Sequence, residues 1–364
     1  VEPAGIGEDD LLRGGLHRHR GLRRGRRPPS ARARAPQAGR AAIPLARRAR
    51  SGFPAAMTVL AFGHPAALRH RPPEGHPERP ERHRAVLAAL DALGPLVERR
   101  EAPEAGDDDL RPCHPQRYLD ALGRAEPEAG RVALDPDTWL SPGSLEAARR
   151  GAGAALAAVD AVMGGEARTA FAAMRPPGHH ALAERPMGFC LFANVALAAR
   201  RAIDRHGAGR VAIVDFDVHH GNGTEALVEG DPRILFCSTH QSPFWPGTGA
   251  ASHGGPHGTV VNLPLPAGTD GPAFRAAVAA RLLPRVAAHR PDLILISAGF
   301  DADARDPLGG LALGTEDFAW ITRALRALAG DHAGGRVVSC LEGGYDLGAL
   351  RDGVAAHLAE LGGP

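Results

Sequence analysis

Hydrophobic positions along the chain fall into short apolar runs that alternate with longer segments of helical period. The runs predict strands at 58–62, 168–173, 211–216, 233–238, 259–263, 292–297 and 336–341. Segments rich in Ala and Leu predict helices near 79–93, 144–163, 191–206, 272–288, 315–329 and 346–361. This alternation predicts an α/β fold, in which one three-layer αβα domain has a mostly parallel central sheet covered by helices.

The strand predicted at 211–216 ends in the most polar segment of the chain. Its first four residues are apolar, and Asp215, Asp217 and His219 follow at spacings of two. Residues two apart in an extended backbone point to the same face, so we expect these three side chains to converge. Open α/β sheets bind their ligands beyond the carboxyl ends of their strands. We therefore predict the active site at that edge of the sheet.

Three other predicted strands also end in polar residues. His179 and His180 follow the strand at 168–173, Asp301 follows the strand at 292–297, and Tyr345 follows the strand at 336–341. The carboxyl ends of parallel strands meet at the same edge, so these groups are expected near Asp217. Their coincidence at four strand ends indicates a functional site.

The residue types at this edge favour metal-assisted hydrolysis. Asp217, His219 and Asp301 offer two oxygens and one nitrogen, which is the form of a catalytic zinc site with a fourth position free. Two carboxylates make the site harder than a three-histidine site, so Fe²⁺ and Co²⁺ stay as alternatives. His179 and His180 could act as base and acid, and the Tyr345 hydroxyl could donate to an oxyanion. This set suits hydrolysis of an amide.

The N-terminal segment differs in composition from the rest of the chain. Residues 1–56 contain thirteen arginines and four acidic residues, with no sustained apolar period. We expect this arm to be disordered, and an upstream misassigned start is the favoured explanation because Met57 immediately precedes the first predicted strand. Residues 57–364 are then the catalytic domain. Nucleic-acid binding would depend on the arm alone, and we do not expect it.

Composition also limits where the protein works. No apolar run reaches the length of a membrane span. The four cysteines are widely spaced and form no Cys-x-x-Cys pair, which favours a reducing cytoplasm. The use of Arg as the sole strongly basic side chain, with abundant Ala and Gly, suggests a bacterial gene.

The motifs at the strand ends resemble those of the zinc-dependent histone deacetylase family, which has the arginase-deacetylase fold. They are Arg-Pro-Pro-Gly-His-His at 175–180, Asp-Phe-Asp-Val-His-His-Gly-Asn-Gly-Thr at 215–224, Ser-Ala-Gly-Phe-Asp-Ala at 297–302 and Leu-Glu-Gly-Gly-Tyr-Asp at 341–346. Segments 76–82 and 137–144 extend the resemblance from about residue 58 to the C-terminus. Asn222 stands where one branch of the family has Asp and the class II-like branch has Asn, so the chain resembles the class II-like bacterial deacetylases and acetylpolyamine amidohydrolases.

The resemblance implies a role for individual residues. Zinc would be bound by Asp217, His219 and Asp301. The general base and acid would be His180, with Asn222 behind it and with His179, oriented by Asp215, as its electrostatic partner. Tyr345 would polarise the acyl carbonyl. A structural K⁺ would bind to carbonyls of this region and to the set Asp215, Ser238 and Thr239. The substrate tunnel and its rim would be formed by Gly188, Phe189, Trp245, Asp137 and Leu308.

The sequence leaves the substrate open between an acetylated lysine peptide or protein and an acetylated polyamine. A polyamine-selective branch has Glu where this chain has Leu308, so the apolar side chain favours acyl-lysine. Two other functions are weighed. Binuclear manganese ureohydrolases resemble Asp-Ala-His-x-Asp at the central strand, whereas Asp-Val-His-His here removes a bridging carboxylate. A non-catalytic acyl-lysine binder would not require Tyr345.

Overall fold

The computed structural model describes residues 58–363. The arm predicted at 1–56, and its boundary at residue 57, lie outside the described residues. No helix within the described range is both long and apolar enough to cross a membrane.

The described residues form ten strands, and eight of them build a parallel central sheet. The strands in chain order are β1 (Val59–Gly63), β2 (Val97–Glu101), β3 (Val132–Ala133), β4 (Trp139–Leu140), β5 (Thr169–Ala172), β6 (Val211–Asp215), β7 (Ile234–Gln241), β8 (Val260–Leu265), β9 (Leu293–Ala298) and β10 (Val337–Leu341). The sheet has the order β2-β1-β5-β10-β9-β6-β7-β8, and each neighbouring pair is parallel. Strands β3 and β4 form a separate antiparallel pair.

Helices follow most of the strands. They are α1 (Pro80–Leu93), α2 (Asp107–Leu110), α3 (Gln116–Ala125), α4 (Ser144–Met163), α5 (Asn194–Asp204), α6 (Asn222–Val228), α7 (Gly271–Ala277), α8 (Leu283–His289), α9 (Thr315–His332) and α10 (Leu347–Gly362). Short 3-10 turns occupy Pro65–Leu68 and Gly94–Leu96. A π-helical turn at Val278–Leu282 joins α7 to α8.

The sheet separates two hydrophobic cores. Helices α4 and α5 pack together on one face, and α1, α9 and α10 pack on the other. Successive residues of the strands point to opposite faces, so Ile294 belongs to one core and Leu295 to the other. The predicted three-layer α/β fold with a parallel sheet is therefore confirmed.

The inner strands of this sheet are almost entirely buried, whereas the edge strand β2 is mostly exposed. Strands β6 and β9 lie inside the sheet and every residue in them is buried, which agrees with their continuous apolar sequences. At the edge, β2 buries only its first residue, Val97, and exposes its charged residues. Arg100 pairs there with Glu98 at 2.6 Å and with Glu166 at 2.8 Å.

Candidate active site

Four adjacent strands of the sheet deliver the candidate catalytic side chains. Strands β5, β10, β9 and β6 are neighbours in that order, and all run in the same direction. The loops at their carboxyl ends carry His179 and His180, Tyr345, Asp301 and then Asp217. Because these strands are parallel, all of these groups lie at the carboxyl end of the sheet, as predicted.

Asp217, His219 and Asp301 form a compact donor group. Each offers one ligand atom, and these atoms lie within 4.8 Å of one another. Asp217 Oδ2 accepts a hydrogen bond from the Gly343 amide at 2.8 Å. Asp301 Oδ1 accepts one from the Val218 amide at 2.9 Å. Backbone donors thus fix the orientation of both carboxylates.

This donor group fits a divalent cation. Asp301 Oδ2 is buried and accepts no hydrogen bond, although His219 Nδ1 lies 3.3 Å away. Burial, together with the nearby Asp217 carboxylate, raises the pKa of Asp301 to about 7. A bound cation would stabilise the two buried carboxylates, which repel each other, and would give the unpaired oxygen a partner. Two oxygens and one nitrogen are a suitable set for zinc or a harder transition metal.

Glycines keep the space around the carboxylates open. A Cβ atom at Gly343 would collide with Asp301 Oδ2, and a Cβ atom at Gly299 would collide with Asp217 Oδ2. Any larger residue at either position would displace a carboxylate of the donor group. The glycines in the motifs at 297–302 and 341–346 are therefore required by the donor group.

The two adjacent histidines have different hydrogen-bond partners. His179 Nδ1 lies 3.0 Å from Asp215 Oδ2, whereas His180 Nδ1 lies 2.8 Å from Asn222 Oδ1. The asparagine oxygen can only accept, so Nδ1 of His180 carries the proton and its Nε2 is free to accept another. The ring centroids of the two histidines are 3.9 Å apart.

These environments move the two pKa values in opposite directions. Burial disfavours the charged form of His179, but the carboxylates of Asp217 and Asp215 outweigh it and raise the pKa of His179 to about 10. Burial, followed by the charges of His179 and His219, lowers the pKa of His180 well below its usual value. His180 is thus the neutral member of the pair and the one able to accept a proton.

Tyr345 is held in a buried turn after β10. Burial raises the pKa of its phenol well above the usual value, so the hydroxyl stays protonated and can donate. The guanidinium of Arg82 lies against the ring, and Arg82 Nε donates to the Gly344 carbonyl at 2.6 Å. Asp306 accepts a hydrogen bond from the Tyr345 amide, also at 2.6 Å.

One pocket of about 500 Å³ opens onto these groups. His180, His219 and Tyr345 contribute to its inner wall. The five residues predicted to form the tunnel and rim all line it: Asp137, Gly188, Phe189, Trp245 and Leu308. The ring centroid of Trp245 lies 4.6 Å from that of His180, and the ring centroid of Phe189 lies 5.7 Å from that of Tyr345. The walls of the pocket therefore contact the candidate catalytic groups directly.

The family of this chain follows from comparison with known proteins. The model of the histone deacetylase domain matches residues 76–361. The chain belongs to the histone deacetylase family. Its relatives include the histone deacetylase-like amidohydrolase of Pseudomonas aeruginosa, which is 42% identical over 295 residues that cover 79% of this chain and 77% of that protein.

Two further comparisons extend this deacetylase assignment. The polyamine deacetylase HDAC10 of Homo sapiens is 38% identical over 308 residues, which cover 79% of this chain and 45% of that protein. The crystal structure of the HDA15 HD domain matches with a TM-score of 0.80 and 34% identity, covering 84% of this chain and 89% of that one. The chain is thus a deacetylase-family hydrolase with the fold of that family.

The residues predicted for K⁺ lie on the neighbouring strands β6 and β7. Asp215 pairs with Ser238 in the register of β6 and β7. Thr239 Oγ1 lies 3.5 Å from the Asp215 carbonyl oxygen, and Ser238 Oγ lies 3.0 Å from His240 Nδ1. The three residues are therefore grouped at the carboxyl end of β6 and beside it in β7.

Sequence reasoning missed several residues of the deacetylase pocket. The ring of Phe244 stacks on that of His219, with centroids 5.3 Å apart. Gln241 Oε1 accepts a hydrogen bond from the Gly310 amide at 2.7 Å. The other unpredicted lining residues are His76, Pro77, Pro307, Gly309 and Gly310. Phe244 could have been predicted from the sequence, because it directly precedes the predicted tunnel residue Trp245.

Glu342 is a further buried group for which no role was predicted. Its Oε2 accepts hydrogen bonds from the amides of Gly178 at 2.7 Å and His179 at 3.1 Å. Burial raises its pKa to about 7. Glu342 joins the loop after β10 to the histidine loop after β5, and its place beside Gly343 in a polar strand end was the only signal.

Proposed function

We propose that this chain is a zinc-dependent deacetylase that removes acetyl or other short acyl groups from lysine side chains or similar amines. The observation that carries the proposal is the meeting of a metal-donor group, a neutral imidazole and a protonated phenol at one pocket. Each of these groups has a distinct task in hydrolysing an amide.

Asp217, His219 and Asp301 would hold the metal ion. A zinc ion bound there would act as a Lewis acid toward the acyl carbonyl and toward a water molecule. Fe²⁺ and Co²⁺ are the alternatives that the same donors accept. The side chains of Asp215 and Ser238, with backbone carbonyls that include that of Thr239, would hold a structural K⁺ next to this group.

His180 would move the proton of the reaction. Its free Nε2 accepts a proton from the water that attacks the carbonyl carbon, and it then gives that proton to the departing amine as the C–N bond breaks. The products are a carboxylate and a free amine. His179, oriented by Asp215, would be the electrostatic partner of His180. Its positive charge lowers the pKa of His180, which favours release of the proton to the amine. Asn222 gives His180 a neutral partner, which keeps the pKa of His180 lower than a carboxylate would.

Tyr345 and the pocket walls would act on the substrate itself. The phenol donates a hydrogen bond to the acyl oxygen as negative charge develops there. The rings of Phe189 and Trp245 would enclose the alkyl chain of the substrate and exclude water. Gly188 leaves room between these walls and His180, and Asp137 at the pocket mouth would accept a hydrogen bond from the substrate backbone.

The apolar Leu308 in the pocket supports acyl-lysine as the preferred substrate class. A polyamine carries a second cationic amine, which needs a carboxylate partner in the pocket, and the Leu308 side chain provides none. The alternative substrate is an acetylated polyamine, which is favoured by the Asp137 carboxylate at the mouth and by the similarity to a polyamine deacetylase.

A direct assay separates these substrates. Purified protein is incubated with an acetyl-lysine peptide, N-acetylputrescine or acetylspermidine, and released acetate is measured. We expect the peptide to be the best substrate. Leu308→Glu should increase use of acetylspermidine relative to the peptide, whereas the uncharged control Leu308→Gln should not. A large preference of the wild type for the polyamines would reverse the choice of substrate.

Other outcomes would replace the proposal as a whole. Two manganese ions per chain with release of urea from arginine or agmatine would indicate a ureohydrolase. Binding of acetylated peptide by the metal-loaded protein without acetate release would indicate a binder. We also propose a cytoplasmic location, because the four cysteines, all within the described residues, are buried and unpaired.

A further inference from the structure

Asp306 is a buried carboxylate that the reaction described above does not use. It lies in the loop between β9 and α9, and only 6% of its surface is exposed. Its Oδ2 accepts hydrogen bonds from the amides of Tyr345 at 2.6 Å and Asp346 at 3.0 Å. Its Oδ1 accepts a hydrogen bond from the Leu308 amide at 2.9 Å. One carboxylate therefore joins two loops that are distant in sequence.

The two loops joined by Asp306 form parts of the same pocket. Tyr345 and Leu308 both line the pocket, as do the neighbours of Leu308, Pro307 and Gly309. A shift of the Asp306 carboxylate would move the phenol and the section of pocket wall at Leu308 relative to each other. The distance between the hydroxyl donor and the acyl group depends on this arrangement.

Arg82 acts on the other side of the same turn. It donates to the Gly344 carbonyl at 2.6 Å and also to the Glu342 carbonyl. The turn that carries Tyr345 is thus held through its carbonyls by a buried cation and through its amides by a buried anion. Arg82 and Asp306 thus bind the peptide groups on both sides of Tyr345, while the Tyr345 side chain lines the pocket.

We propose that Asp306 is a positioning residue that determines the position of the Tyr345 hydroxyl relative to the part of the pocket wall formed by Leu308. The proposal rests on the function proposed above for Tyr345. The three hydrogen bonds require an acceptor at both oxygens, so an asparagine cannot replace the aspartate. In either orientation its NH₂ group would face at least one backbone N–H group, donor against donor.

A double-mutant cycle tests this role. Steady-state kinetics are measured for the wild type, Asp306→Asn, Tyr345→Phe and the double variant, with metal content and melting temperature recorded for each. We expect Asp306→Asn to lower kcat by at least ~10-fold with KM changed less than ~3-fold, because small displacements of a reacting group are costly. In the Tyr345→Phe background the same change should cost less than ~3-fold.

Asp317→Asn is the matched control for loss of a buried carboxylate. Asp317 is 1% exposed, and its Oδ2 accepts a backbone hydrogen bond from Gly314 at 2.9 Å, at the start of α9 and away from the pocket lining. Its effect on kcat should be the same in both Tyr345 backgrounds. Should Asp306→Asn fail to fold, Asp306→Glu keeps the charge, moves the carboxylate by one methylene and is taken through the same cycle.

Hydrogen exchange gives a readout that does not depend on activity. Amides of segments 306–310 and 343–348 should both exchange at least ~10-fold faster in Asp306→Asn, and neither should change in Asp317→Asn. Equal kinetic costs in the two Tyr345 backgrounds, or faster exchange in neither or only one segment, would overturn the role of Asp306. Absence of acetate release by the wild type would instead contradict the proposed function, while the exchange experiment would still decide whether Asp306 links the loops.

Discussion

The guanidinium carbon of Arg82 lies 4.9 Å from the centre of the Tyr345 ring. Arg82 is fully buried, and its charge is paired with Glu78 at 3.1 Å. The positive charge lowers the pKa of the phenol against the larger effect of burial, which raises it. Tyr345 therefore sits beside a buried cation, in a position that favours donation of a hydrogen bond toward negative charge.

Replacement of Tyr345 by Phe should remove this donor without disturbing the metal group. We expect a loss of roughly two to three orders of magnitude in kcat, the scale for removal of one oxyanion donor. Zinc content, measured by mass spectrometry of metals, should stay equal to that of the wild type. A variant that keeps wild-type kcat would show that the phenol does not act on the acyl oxygen.

Replacement of Asp301 by Asn should weaken metal binding. The change removes one charge and one ligand oxygen, so zinc content should fall well below one ion per chain and activity with it. Removal of the metal from the wild type by a chelator should also lower its melting temperature, because the buried carboxylates then repel each other. Asp317→Asn is the control, and it should keep full zinc content. Unchanged zinc content in Asp301→Asn would show that the metal lies elsewhere.

Replacement of Gly188 by Ala should damage the pocket. Gly188 has a positive φ of 55°, and a Cβ atom there would lie 2.5 Å from both His180 Cδ2 and Trp245 Cη2. We expect kcat/KM to fall at least ~10-fold because His180 is displaced. Gly247→Ala is the matched control, since Gly247 also has a positive φ but has no atom within 4 Å of the added methyl group. Equal losses in the two variants would indicate backbone strain rather than contact with His180.

Protonation of His357 should destabilise the fold at low pH. Burial lowers its pKa to about 3, and its ring lies between Thr322 Oγ1 at 2.7 Å and Ser339 Oγ at 2.8 Å. The unfolded chain binds a proton near pH 6.5 whereas the folded chain does not, so the free energy of unfolding decreases as pH falls from about 6.5 to about 3. The contribution approaches ~1.4 kcal/mol per pH unit within that window.

Chemical unfolding at pH 7, 6 and 5 measures this effect. His357→Gln should be less stable at pH 7 but should show a smaller dependence of the unfolding free energy on pH. The other buried histidines titrate in both proteins, so the difference between the two slopes reports His357. Identical slopes would show that His357 does not contribute.

Most of the fold could be predicted because its inner strands are continuous apolar runs. All seven predicted strands and all six predicted helical segments are present. Strand β2 was missed, since an edge strand with one buried residue has no hydrophobic period. Helix α6 was missed because it has seven residues and follows directly on the polar motif at 215–224. The segment predicted as one helix at 272–288 is interrupted by the π-helical turn at Val278–Leu282.

The candidate site divides in a similar way. Asp217, two residues after β6, could be placed from the alternation of strand side chains. Tyr345, in the loop after β10, could be placed from the shared direction of the parallel strands. Gln241 and Asp306 could not be placed in this way. Their roles depend on hydrogen bonds to backbone amides of loops, and these loops have no repeating sequence pattern. Their hydrogen bonds to Gly310 and Tyr345 appear only when those loops are folded.

The exposed charges of β2 affect how the protein behaves at high concentration. An open parallel sheet ends in a row of unpaired peptide groups that could pair with a strand from another molecule. Along β2 the outer residues are Glu98, Arg99, Arg100 and Glu101, and ion pairs hold several of them in place. A strand approaching this edge would have to remove water from these charges, which disfavours aggregation through β2. The carboxyl ends of the inner strands stay free for the substrate.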